Sequence, residues 1–225
     1  MNSSYALSVT GSIGCGKSYV CARLRRLAAG QGLAINLIEV DRLRATLLES
    51  RTKEQAKQVQ SVLIECFGSE ICLANGTLNR RRLADIIYSD LDALEVHDRV
   101  LDPVIFSQIA DQISSLSGIT LVEWALVAEK NAMSLTQGNV LFVECSRETQ
   151  LLRLSCGDLP STQIEKRIAL QLTNQQTRAK IEMYPSKHGG NLYCFTNEGR
   201  VSVSNLQELL DRITAALVAE RTVHG

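Results

Sequence analysis

Net charge is the first thing this chain lacks. Lys plus Arg number 24 and Asp plus Glu 24 over 225 residues, a formal charge of zero. Balance of that kind argues against a nonspecific nucleic-acid or membrane binder. The seven cysteines show no C-x-x-C spacing, so they read as reduced thiols in a cytoplasmic protein. No apolar run reaches membrane-spanning length, and no basic-then-apolar leader opens the sequence. His97, His188 and His224 have no metal-ligand spacing and read as surface or loop positions. There is one tryptophan, Trp124, expected to pack rather than stack on a base. Only three prolines and few aromatics occur, no repeat or low-complexity segment stands out, and the length suits one domain with insertions.

What the chain has is a glycine-rich segment straight after an apolar, β-branched run. "VTGSIGCGKSYV" (9–20) fits Gly11-x-x-x-x-Gly16-Lys17-Ser18, the phosphate-binding loop pattern. "ALSVT" before it reads as a buried strand, and "KSYVCARLRRLAAG" after it as a helix. Between the two, glycines let successive N–H groups turn inward as an anion nest at the positive end of the helix. Lys17 is expected on the β- and γ-phosphates, and the Ser18 hydroxyl on Mg²⁺.

The rest alternates strands and helices. Strands are expected at 5–10, 34–40, 119–124, 139–145 and 192–197, with a closing helix at 203–221. Residues 42–117 are helical in period throughout, with a turn at "NGTLN" (75–79). That block is too long for a crossover and reads as an inserted helical subdomain. Residues 147–183 turn helical again. Short apolar strands between helices imply a parallel sheet covered by helices. Such sheets bind ligands beyond the carboxyl ends of their strands, where Asp41, Glu123 and Asn197 fall beside the loop at 11–18.

Phosphoryl transfer needs held phosphates, a metal, cations and an acceptor that orients the attacking hydroxyl. Asp41 suits the last role, or equally caps the helix that follows it. Arg153, Arg167 and Arg178 are candidate cations or a solvated basic face. Arg80, Arg81 and Arg82 form a basic run at the unfavourable end of a helix dipole, which suggests a nearby anion. Glu123 and Glu129 bracket "WALVA". Cys15, inside the loop beside Lys17, is either a small filler or a thiol of lowered pKa.

Taken in order, these stretches resemble the dephospho-coenzyme A kinase family over roughly residues 5–217. The resemblance rests on "VTGSIGCGKS", "IEVDRLRATLLE", "ECFGSEICLANGTLNRRRLADIIYSD", "LDPVI", "LVEWALVAE", "VECSRETQLLRL" with "EKRIALQ", and "FTNEG". It implies an α/β, three-layer phosphate-loop NTPase fold with a mostly parallel five-stranded sheet. Core segments would be 1–41, 118–146 and 189–225, with a helical acceptor-binding insertion at 42–117 and a lid at 147–188. The implied reaction passes a phosphoryl group from ATP to the ribose 3′-hydroxyl of dephospho-coenzyme A. Asp41 matches the catalytic base, and Arg80 the acceptor-site arginine. Arg153 and Arg167 fall on lid positions. Gly11, Ser12, Ile13, Gly14, Cys15, Gly16, Lys17, Ser18 and Tyr19 would surround ATP, bounded at the adenine by Asn197 and Gly199. Arg44, Glu123 and Glu129 join the acceptor side, and Ser18 holds Mg²⁺ with Asp41 or Glu123 acting through water. ATP and dephospho-coenzyme A are the implied partners of a monomer or weak homo-oligomer. Departures from the family pattern are Glu39 for its first acid, Ala45 with Arg44 one residue early, Asp102 for histidine before Pro103, Ala125 for proline, and Gly157 for a second lid arginine. The segment "YPSKHGGNLY" has no counterpart. Alternatives are another small-molecule kinase, acting on nucleosides or nucleotides, and a non-catalytic ATP-binding protein.

Overall fold

The computed structural model describes residues 4–156, 161–199 and 201–223, and divides into two units: Met1–Ile38 with Ile109–Gly225, and Glu39–Gln108. The first holds a five-stranded sheet of order β2-β3-β1-β4-β5. Its strands are β1 (Ser4–Thr10), β2 (Ile35–Glu39), β3 (Gly118–Glu123), β4 (Val140–Glu144) and β5 (Leu192–Thr196). The pairs β1–β3, β1–β4 and β4–β5 are parallel. All five expected strands are present to within about two residues. Asp41 does not end a strand: β2 stops at Glu39, and the next residue opens a helix.

Alternation along β1 explains its place at the centre. Tyr5, Leu7 and Val9, all 0% exposed, face α1 (Lys17–Gly30) and α9 (Val203–Val223). Val20, Cys21, Leu24 and Ala28 of α1, spaced by three and four, meet Leu206, Leu210, Ile213 and Leu217 of α9 on that face. On the other face the Ser8 hydroxyl meets that of Thr136 at 2.8 Å, in the short 3₁₀ turn Ala132–Thr136. At the amino end of the strands, the Tyr5 hydroxyl donates to Asn139 Oδ1 (3.1 Å) and lies 3.0 Å from that of Tyr193. Trp124 is buried at the end of β3, as expected of a packing residue. The remaining helices of this unit are α6 (Arg147–Ser155), α7 (Ser161–Leu170) and α8 (Asn174–His188).

The second unit is helical: α2 (Val40–Glu49), α3 (Glu54–Phe67), α4 (Arg80–Ile87) and most of α5 (Leu91–Ser115), which continues into the first unit. Leu47, Ala56, Val59, Leu63, Ile71, Leu83, Ile87, Leu101 and Ile105 are buried in it. The turn expected at 75–79 is built on Gly76 (φ 78), with Leu73 N–H donating to Thr77 O at 2.7 Å. Asn79 caps α4, its side chain accepting from Arg82 N–H at 3.0 Å. No helix among the described residues is long and apolar enough to cross a membrane.

Candidate active site

The strand order places β1 between β3 and β4, so the connections leaving the carboxyl ends of β1, toward β2, and of β3, toward β4, run in opposite directions. A crevice opens there, and the loop 11–16 lies in it. Two glycines are obligatory. Gly16, at φ 87, precedes α1, and a Cβ on it would lie 2.2 Å from Asn197 Nδ2. A Cβ on Gly11 (φ 142) would lie 2.0 Å from the Val143 carbonyl of β4. Neither conformation nor space admits a larger residue.

Lys17 folds back across the loop, its Nζ donating to Gly11 O (2.9 Å) and Ser12 O (3.2 Å). Ser18 donates its hydroxyl to Glu123 Oε1 at 2.5 Å, joining the first turn of α1 to the end of β3. A hydroxyl and a carboxylate at a helix amino terminus are hard oxygen donors. They fit Mg²⁺, which takes one or two protein oxygens and fills its shell with water and phosphate. Among the described residues no group of three or more His, Cys, Asp or Glu is arranged to hold a metal, so an ion here would lean on the nucleotide.

The loop's outer side is held by polar side chains. Arg153 of α6 donates to Cys15 O (3.1 Å) and Asn197 O (3.0 Å). Asn197, 1% exposed, donates from Nδ2 to Cys15 O at 2.7 Å, and its Oδ1 is buried without a partner. Arg153 thus reaches the loop, but with its guanidinium on backbone carbonyls. Gln150 donates to Ile13 O (2.6 Å), Gln171 accepts from Ile13 N–H (2.9 Å), and the Ser12 hydroxyl donates to Asn174 Oδ1. A cavity of about 330 Å³ adjoins these residues. Glu129 accepts from Leu172 N–H at 3.0 Å, tying the α7–α8 turn to the core, and its Oε2 is buried without a hydrogen bond. Glu198 accepts from Thr149 Oγ1 (2.5 Å) and from the N–H and hydroxyl of Ser146, which holds its carboxyl below the usual range. Sequence reasoning missed Gln150, Gln171 and Asn174 as site residues. The available signal was an amide, Gln150, three residues before Arg153 on one helix face.

The other candidates are distributed as follows. Tyr19 is 48% exposed, with the Arg23 guanidinium 6.0 Å from its ring centre. Gly199 lies just beyond Asn197 at φ 52. Arg167 belongs to α7, its side chain lying outside what is described, and Gly157 and His224 lie outside the described residues. Arg178 pairs with Glu182 (2.9 Å) and Glu144 (3.6 Å) at the surface, so carboxylates answer its charge. Burial of Cys15, 1% exposed, pushes its thiol up despite Lys17 and Arg153 nearby, which overturns the expectation of a lowered pKa.

In the second unit Asp41 sits in the first turn of α2, exposed. Glu39 holds the N-cap position and no side chain caps the helix, so the capping reading of Asp41 is excluded. Arg80 pairs with Glu49, and Arg82 with Glu70. The basic run is therefore answered by carboxylates of this unit. Arg44 lies 3.9 Å from Asp98, with its second terminal nitrogen buried and unpartnered. His97, read from the sequence as a surface residue, is instead 1% exposed on α5, its Nδ1 3.3 Å from Asp98 Oδ1.

Residues 5–184 match the dephospho-CoA kinase family. A dephospho-CoA kinase of Frankia casuarinae is 33% identical over 190 residues, covering 84% of this chain and 77% of that one. The enzyme of the same name from Salmonella typhimurium is 27% identical over 204 residues, 90% of this chain and 94% of its own. Among solved structures, TT1252 from Thermus thermophilus superimposes with a TM-score of 0.68 at 23% identity, covering 95% of this chain and 97% of its own. That likeness establishes the fold.

Proposed function

The chain belongs to the dephospho-coenzyme A kinase family, and from that premise we propose that it passes the γ-phosphoryl group of ATP to the ribose 3′-hydroxyl of dephospho-coenzyme A. The observation that carries the reading is the loop 11–16 opening α1, with Lys17 inside it and Ser18 bonded to Glu123. Backbone N–H groups and the helix terminus hold the β-phosphate, and Lys17 exchanges its two carbonyl partners for phosphate oxygens. Ser18, with Glu123 or Asp41 acting through water, would hold Mg²⁺, which would supply neutralisation of phosphate charge. Asp41 takes the proton of the 3′-hydroxyl. Its match to the family's base position supports this, as does a carboxylate that no cap or ion pair among the described residues engages.

Residues 42–117 form the acceptor-binding insertion and 147–188 the lid, in which Arg153 and Arg167 are the candidate cations. Gly11, Ser12, Ile13, Gly14, Cys15, Gly16 and Tyr19 line the nucleotide, with Asn197 and Gly199 beside its base. Arg44, Arg80 and Glu129 belong to the acceptor side. The protein acts in the cytoplasm as a monomer or weak homo-oligomer, without nucleic-acid or membrane partners.

The test is coenzyme A formation from ATP–Mg²⁺ and dephospho-coenzyme A, with nucleosides as alternative acceptors. Asp41→Asn is expected to lower kcat by about 10²- to 10⁴-fold, and Lys17→Ala to abolish turnover. Equal rates in all three proteins, or ADP release at the same rate without acceptor, would overturn the proposal.

A further inference from the structure

Each peptide of a phosphate loop presents its N–H on one side and its C=O on the other, because the trans peptide is planar. Whatever grips the outer atom therefore aims the inner one. Two neighbouring peptides of this loop are gripped by side-chain amides. In the Ser12–Ile13 peptide the N–H donates to Gln171 Oε1 at 2.9 Å. The Ser12 carbonyl accordingly points the other way, where it accepts from Lys17 Nζ and Cys15 N–H, both at 3.2 Å. In the Ile13–Gly14 peptide the carbonyl accepts from Gln150 Nε2 at 2.6 Å, which directs the Gly14 N–H away from α6 and into the loop.

Both amides are themselves held. Gln150 is 7% exposed, and its Oε1 accepts from the Arg147 guanidinium at 2.6 Å. A guanidinium only donates, so Arg147 sets which end of the amide faces Ile13. Gln171 stands at the turn before α8, fixed by Leu172 N–H on Glu129 and by Asn174 on the Ser12 hydroxyl.

We infer that Gln150 and Gln171 are positioning residues for phosphoryl transfer, acting on nucleotide binding through the two Ile13 peptides and not by contact with the nucleotide. The inference rests on the kinase reading above. It assigns the two amides to the ATP side of the reaction alone, because the peptides they hold belong to the phosphate nest.

The experiment is an ADP titration by calorimetry, without acceptor, on wild type, Gln150→Met and Gln171→Met, followed by steady-state kinetics. Losing the Gly14 N–H that Gln150 aims, or the Ser12 carbonyl that Gln171 aims at Lys17, is expected to raise the Kd for ADP and the KM for ATP by roughly tenfold. The KM for dephospho-coenzyme A and the melting temperature should stay near wild type. Gln171→Glu, which still offers Ile13 N–H an acceptor, should recover part of the ADP affinity lost in Gln171→Met. Unchanged ADP affinity in both methionine variants would overturn the inference. So would equal losses for both substrates together with a lowered melting temperature, the signature of packing alone. Should buried Gln150→Met not fold, half-buried Gln171→Met decides. Tenfold weaker ADP binding in the variants of a protein that makes no coenzyme A would sink the kinase reading and leave the positioning role standing.

Discussion

A thiol inside a phosphate loop, beside a lysine and at a helix terminus, has two opposed influences on its pKa. The cations favour thiolate, while loss of water disfavours it. At Cys15 burial prevails: the side chain is 1% exposed and its pKa is raised. Burial raises Cys145 too, with Cys15 as a further influence. Thiolate is the reactive species, so Cys15 should be inert at neutral pH. Cys66, Cys156 and Cys194 are exposed. Burial pushes the Cys194 thiol up as well, so brief iodoacetamide treatment at pH 7.5 is expected to alkylate Cys66 and Cys156 first and leave Cys15 free by peptide mass mapping, with activity retained. Alkylated Cys15 in proportion to lost activity would refute this. The sequence disclosed the neighbours of Cys15 but not its burial, because burial depends on β4 and α6 closing over a loop more than a hundred residues away. The Gly11-x-x-x-x-Gly16-Lys17-Ser18 spacing, by contrast, was legible from the local strand–loop–helix pattern, although the atoms that crowd Gly11 and Gly16, the Val143 carbonyl and Asn197 Nδ2, lie far along the chain.

Among elements, the pairing of α2 with α5 carries a charge pattern that spacing alone concealed. His97 fell on no metal motif, and its single position in a 25-residue helix gave no sign of depth. It is buried, with Asp98 at 3.3 Å on its own helix, Arg44 reaching Asp98 from α2, and Asp102 a further turn along α5. Loss of hydration, reinforced by Arg44, holds the imidazole below its ordinary pKa, with the two aspartates opposing. The unfolded chain therefore binds a proton at a pH where the native one does not, and stability falls as pH drops. The loss begins near the unfolded value of about 6.5 and is complete below the native value; above pH 7 it vanishes. Urea unfolding is expected to give wild type a steeper decline in stability from pH 7.5 to 5.0 than His97→Gln. Parallel declines would place the acid sensitivity elsewhere. Helix boundaries here were better read: the Asn79 cap and the Gly76 turn are local chemistry, so "NGTLN" announced them.

At the scale of the molecule, strand positions were legible and strand order was not. Alternating apolar runs locate β1 to β5, but the order β2-β3-β1-β4-β5 is decided by which helix covers which face. The amides of α6 and the α7–α8 turn that hold the loop were missed for the same reason. That order gathers the loop 11–16, Lys17, Ser18 and Glu123 at one sheet end of the first unit, so ligand binding there should report on that unit's stability. A ligand that binds only the native state stabilises by RT ln(1 + [L]/Kd), about 2.7 kcal/mol at a hundredfold excess over Kd. For a chain of this size each kcal/mol moves the melting temperature by roughly 2–4 °C, so saturating ADP should raise it by about 5–10 °C in scanning calorimetry. Adenosine, which offers the nest no phosphate, should move it far less. Gly16→Ala meets Asn197 at 2.2 Å from a backbone at φ 87, and should melt lower and lose the ADP shift altogether. An equal shift from ADP and adenosine, or an ADP shift surviving Gly16→Ala, would mean that the nucleotide is held by its base and that the loop is not the phosphate site.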